Sequence, residues 1–166
     1  MSFTRQMVVL DAADVERTAA FWAGFYGGVV VRSDEDWYEI QVGEEFPMAI
    51  QLAPDHVPPQ WPDGEPQQVH LDFFVDDLQA EHDRVMGLGA QLLRRSGDVE
   101  ASTGFQVYAD PAGHPFCLCW GWETWREHLR ARAEGGVAES SEASVGALGD
   151  RRLGRLADGP GRGAGG

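Results

Sequence analysis

One module occurs twice in this chain, and the duplication restricts its possible folds more than any single motif. The stretch from Met7 to Val15 can be laid over His70 to Leu78, and Met48 to Ala53 over His114 to Cys119, with the copies about 63 to 67 residues apart. Each first stretch reads as an apolar strand running into an acidic helix start. Each second stretch reads as an apolar strand with one odd residue in its middle. A repeated unit of this size is a supersecondary module too small to bury a core by itself, whereas two copies can enclose a shared cavity. The function is expected to lie in that cavity.

Periodicity fills in each copy. Residues 5 to 11 read as a strand. Val15, Ala19, Trp22 and Phe25 or Tyr26 then fall on one face at helical spacing, which predicts a helix over 14–26 ended by Gly27-Gly28. Three strands follow at 29–32, 37–42 and 46–53. The segment from Pro54 to Pro66 is rich in proline and acid and reads as a connector, with Trp61 pinned against something. The order then restarts with a strand at 69–75 and His70 at its centre. A helix lined by Leu78, Val85, Met86 and Leu88 comes next, with Asp76 and Asp77 as its caps, then strands at 90–94, 105–109 and 115–121. The repeated domain is expected to span 1–125, with modules at about 5–53 and 68–121. A short helix over 126–133 and a disordered Gly/Ala/Arg-rich tail over 134–166 should follow.

The chain has 166 residues, 43% of them hydrophobic, and a formal net charge of -14. One globular domain is the default at that length. Up to Trp125 there are 21 acids against 6 arginines, and beyond it 6 acids against 7 arginines. So acidic a body lacks the clustered cations that phosphate backbones require, which argues against nucleic acid and anionic membrane as partners. It suits a cationic small ligand, although acidity also serves solubility alone. The chain contains no lysine, and this excludes Schiff-base and lysine-nucleophile chemistry. No apolar run approaches a membrane span, and residues 1–5 carry no apolar signal region. Cys117 and Cys119 sit two apart on one strand, a poor geometry for a disulfide, so a reduced cytoplasmic setting is expected.

The βαβββ-βαβββ order, the acidic helix starts, Gln68-Val69-His70-Leu71-Asp72, and the run from Asp110 through Pro111, Gly113 and His114 to Cys117 together resemble the vicinal oxygen chelate superfamily. That group includes glyoxalases, bleomycin-resistance proteins and extradiol dioxygenases, and the glyoxalase-like subfamily is the nearest match. The resemblance implies an α+β fold in which paired βαβββ modules form a curved mixed sheet around a cup-shaped cavity, and commonly a homodimer with Trp122 and Trp125 at its boundary. It also implies that metal-using members take one metal ligand from the first and last strand of each module. Carried over, those four positions hold Met7, Gln51, His70 and Cys117. Thioether and thiolate are soft donors unsuited to a hard oxygen-chelating metal, so no metal cofactor is expected. The alternative is an atypical divalent ion on His70 and Gln51.

His70 and Asp72 share a strand face and are the candidate acid and base, since a carboxylate buried there must be paired. The competing readings are a hydrogen-bonded core histidine and an aspartate paired with an arginine such as Arg5. Asp11 reads either as a cavity-mouth residue favouring cationic or hydroxyl-bearing ligands or as the cap of the first helix. Met7, Asp11, Trp37, Gln51, Phe105 and Cys117 are the candidate ligand-binding residues. Trp61, Tyr108 and Trp120 could extend the aromatic wall, His56 and His82 read as solvent-facing, and His114 as part of a turn. Three functions remain open: a metal-free small-molecule binding protein, a lyase or isomerase using His70 with Asp72 or an atypical metal, and a domain that acts through a protein partner.

Overall fold

The computed structural model describes residues 6–135. The first module comprises β1 (Val8–Ala12), α1 (Val15–Tyr26), β2 (Val29–Ser33), β3 (Trp37–Val42) and β4 (Glu45–Leu52). The second comprises β5 (Leu71–Phe74), α2 (Leu78–Leu88), β6 (Gln91–Arg94), β7 (Gly104–Ala109) and β8 (Pro115–Trp120). Both modules have the expected βαβββ order.

Local chemistry sets the helix limits. The Asp14 side chain accepts from the Arg17 amide, and the Asp77 side chain from the Ala80 amide, which satisfies one free donor at each helix start. These two caps lie 63 residues apart, at the same offset as the repeat. Asp14 therefore caps α1 and Asp11 does not; Asp77 caps α2 and Asp76 does not. Gly27 and Gly89 close the helices with φ of 65° and 105°, a left-handed turn that costs glycine little.

The strands form two four-stranded mixed sheets, β1-β4-β3-β2 and β5-β8-β7-β6. In each, the first and last strands of the module pair in parallel and the other pairs are antiparallel. One face of each sheet turns to a common core. Leu10, Ile40, Met48 and Ile50 come from the first sheet and Tyr108, Phe116 and Leu118 from the second. The helix α1 joins them: Phe21, Trp22 and Phe25 are buried, and Phe25 meets Phe73 with ring centroids 4.4 Å apart. At about 1.5–3 kcal/mol for each large apolar side chain removed from water, these aromatics supply much of what holds the modules together. The helix α2 contributes less. Val85 is buried, while Met86, expected beside it, is exposed because it lies about 100° further round the helix.

Two expectations need correction. His70 does not sit mid-strand; it precedes β5 and is exposed. In the β5–β8 register Leu71 faces Phe116, which places Pro115 opposite His70, and proline has no N–H to extend the ladder. His82 is not a free surface residue, because its Nδ1 lies 2.9 Å from the Tyr108 hydroxyl.

A third helix, α3 (Trp122–Gly135), follows β8 directly and is longer than the segment expected over 126–133. Trp122 and Trp125 rest on Phe74, with ring centroids 4.8 and 5.6 Å away. Of the tail expected to be disordered, residues 134 and 135 complete α3 and residues 136–166 lie outside the described part. Among the described residues no helix is long and apolar enough to cross a membrane.

Candidate functional site

The faces turned away from the core carry the chemistry, and a cavity of about 670 Å³ opens beside β1. Val9, Leu10 and Asp11 of β1 form one wall. The connector supplies His56, Val57, Pro59, Glu65, Pro66, Gln68 and Val69, and the β7–β8 turn supplies His114. Period-two alternation accounts for Val9 and Asp11, since their neighbours Leu10 and Ala12 point into the core. Val9, Val57 and Val69 remain exposed there, so a ligand with an apolar body gains by covering them. Asp11 and Glu65 bring two carboxylates to the lining, and among the described residues no arginine joins them.

Behind His114 lies Asp110, which is 1% exposed. Its Oδ1 accepts from the amides of Ala112 and His114, both at 2.9 Å. Its Oδ2 accepts from Trp22 Nε1 at 2.8 Å and from His114 Nδ1 at 2.9 Å. Four donors occupy roughly all of a carboxylate's acceptor positions, which is how so deeply buried an acid is tolerated. The turn bends through Gly113, whose φ is 91°. His56 crosses from the connector to meet it: its Nε2 lies 3.0 Å from the Ala112 carbonyl, and its ring sits 4.9 Å from that of His114.

The glyoxalase-like domain family model matches residues 7–119. The chain belongs to that family. The fold agrees with those of solved structures. Fosfomycin resistance protein FosX from Mesorhizobium loti is 19% identical, with a TM-score of 0.55 over 76% of this chain and 98% of that one. FosX from Listeria monocytogenes is 15% identical, with a TM-score of 0.56 over 73% and 95%. A glyoxalase-related enzyme from Fulvimarina pelagi is 20% identical, with a TM-score of 0.53 over 72% and 88%. No curated protein is a match.

Within this glyoxalase-like domain the residues singled out from sequence separate into groups. Asp11 lines the cavity, and Met7 lies just before the start of β1. Gln51 faces Asp11 across the β1–β4 ladder and Trp37 across the β3–β4 ladder, so all three belong to the outer face of the first sheet. Trp37 is held there by a 3.0 Å bond from its Nε1 to Glu39. On the outer face of the second sheet, Trp61 and Phe105 pack over Val107, Cys117 and Cys119. The pinning expected of Trp61 is thus seen. Asp72 faces Cys117 in the β5–β8 ladder, and its Oδ1 lies 3.7 Å from His70 Nε2, with both side chains well exposed. Arg5, the alternative partner, lies outside the described residues.

The donor set does not fit a hard divalent metal. Cys117 shares a hydrogen bond with Cys119, is buried, and faces the Asp72 charge; all three, in that order, push its thiol far up. A thiol held protonated is a poor nucleophile, and a soft donor of this kind does not suit a hard oxygen-chelating ion. Among the described residues no group of three or more His, Cys, Asp or Glu side chains converges on a point.

Sequence reading did not bring together His56, Glu65 and His114. A histidine four residues after an aspartate in a Pro-Gly turn was an available signal for the Asp110–His114 bond. The approach of His56 was not legible, since it depends on how the connector folds back.

Proposed function

We propose that this domain binds a small organic molecule in the cavity between β1 and the connector, without a resident metal, and that it favours organic cations. The observation that carries this reading is the lining itself: two carboxylates, Asp11 and Glu65, beside exposed valines, with no arginine among the described lining residues. In a partly enclosed site such carboxylates attract a cation and repel an anion more strongly than in open water. The acidic body of the chain acts in the same direction at longer range.

The working form is proposed to be a homodimer in the cytoplasm. The edge strand β2 leaves Val29, Val30 and Val31 exposed, and Trp122 and Trp125 are 41% and 42% exposed, which gives two apolar surfaces for a second copy to cover. The two free thiols suit a reducing compartment.

The test is calorimetric titration and thermal unfolding with a panel of cationic, neutral and anionic aromatic compounds. Cationic members are expected to bind and raise the melting temperature, because a ligand of the folded state must stabilise it. An Asp11→Asn, Glu65→Gln double variant should lose that binding while melting normally. Tight binding of anions by the unaltered protein would refute the preference.

A second reading is a lyase or isomerase that uses His70 and Asp72 as acid and base, supported by their 3.7 Å approach. Full turnover of a discovered substrate by a His70→Ala variant would end it.

A further inference from the structure

The two histidines of the cavity are fixed in orientation by groups that can only accept hydrogen bonds. His114 Nδ1 lies 2.9 Å from the Asp110 carboxylate, so that nitrogen carries the proton and donates. His56 Nε2 lies 3.0 Å from the Ala112 carbonyl, so that nitrogen donates as well. In each neutral ring the remaining nitrogen, Nε2 of His114 and Nδ1 of His56, is therefore a lone-pair acceptor. Neither has a hydrogen-bond partner among the described residues, and both rings line the cavity. The two rings lie with centroids 4.9 Å apart and planes tilted by 32°. Asp110 is fully occupied by four donors, and this makes the His114 orientation costly to reverse: a flipped ring would leave a buried carboxylate oxygen short of a partner.

Asp11 and Glu65 add two more acceptor-only groups. Among the described residues, the side chains that line the cavity thus offer negative charge and lone pairs, with the Gln68 amide as their one uncommitted polar donor. A ligand that satisfies such a site must bring both positive charge and several N–H donors. We propose that the cavity recognises guanidines, amidines and primary amines, with His56 and His114 as hydrogen-bond acceptors for their N–H groups. Quaternary ammonium compounds carry the charge but no donors, and they leave both imidazoles unpaired. Discrimination between the two kinds of cation then comes from the histidines, and discrimination against anions from the carboxylates. The inference rests on the reading that this cavity binds organic cations, and the following experiment can fail at either level separately.

Benzamidine, benzylamine, benzyltrimethylammonium and benzoate share a phenyl body and differ in charge and donor count. They would be titrated into the full chain at mildly alkaline pH, with binding followed by calorimetry and by the imidazole nitrogen resonances. Benzamidine and benzylamine are expected to bind at least about tenfold more tightly than benzyltrimethylammonium, the scale of one well-made hydrogen bond to a charged group. Their binding should shift the resonances of His114 Nε2 and His56 Nδ1. His56→Phe keeps an aromatic face against His114 and removes one acceptor, so it should narrow the preference. His114→Gln should narrow it further. If that variant does not fold, the ratio and ring resonances of the unaltered protein still decide. Equal affinity for all three cations, with silent histidine resonances, would overturn the role of the histidines and leave the cation reading standing. Binding of benzoate alone, or of no probe, would overturn both.

Discussion

Trp22 donates its indole N–H to the Asp110 carboxylate at 2.8 Å, joining the helix of the first module to the β7–β8 turn of the second across 88 residues of sequence. The same carboxylate oxygen holds His114. One acid therefore ties the packing of the two modules to the orientation of a cavity side chain, and stability and site geometry are coupled through it.

Trp22→Phe keeps an aromatic ring in the core but removes this donor and leaves a buried acceptor position empty. A loss of about 2–4 kcal/mol of unfolding free energy is expected, combining an unmet charge-assisted bond with the smaller ring. Urea denaturation would measure it. A loss below about 0.5 kcal/mol would mean that the indole bond contributes nothing net.

Gly113 is where the turn meets the connector. Its φ of 91° disfavours any side chain, and a Cβ there would lie 2.3 Å from the Pro58 Cβ. Gly113→Ala should destabilise by about 1–3 kcal/mol through backbone strain. It should also push the connector away from the turn and separate His56 from His114. Denaturant unfolding measures the first effect. Loss of nuclear Overhauser contacts between the two imidazoles measures the second, and retention of those contacts would show that the connector is held elsewhere.

Tyr108 is buried, and burial pushes its hydroxyl up from 10.0 to about 12, with Arg95 opposing slightly. A group raised in the folded state contributes stability fully present below its unfolded value and lost as the pH climbs from there through the folded value. Stability should therefore fall between about pH 10 and pH 12. Tyr108→Phe should flatten that decline, whatever it does to stability near neutrality. Denaturant midpoints at a series of alkaline pH values would check the sign. An identical slope in the variant would assign the alkaline loss to other groups, with Cys117 as the next to test.

The repeat was legible because each module presents the same local signals: an aspartate cap, a left-handed glycine at the helix end, and strands whose apolar residues alternate. Those signals act within a few residues, so composition and spacing carry them. The strand containing His70 was extended too far because the limiting feature, Pro115 opposite it in the ladder, is 45 residues away. The candidate site was legible only in part. Asp11, Gln51 and Trp37 could be assigned to one sheet face by alternation, as could Asp72 and Cys117 to another.

The meeting of His56 with His114, and of Trp22 with Asp110, had no such basis. Sequence by itself determined the duplicated βαβββ plan, the helix caps, the absence of lysine chemistry and the acidic character of the body, because each depends on residue identity or short-range geometry. Tertiary structure alone decided that the connector folds back on the β7–β8 turn and that a buried aspartate fixes which nitrogen of His114 carries the proton. Those outcomes depend on core packing between residues distant in the chain, where the position of one side chain is set by the combined volume of many others.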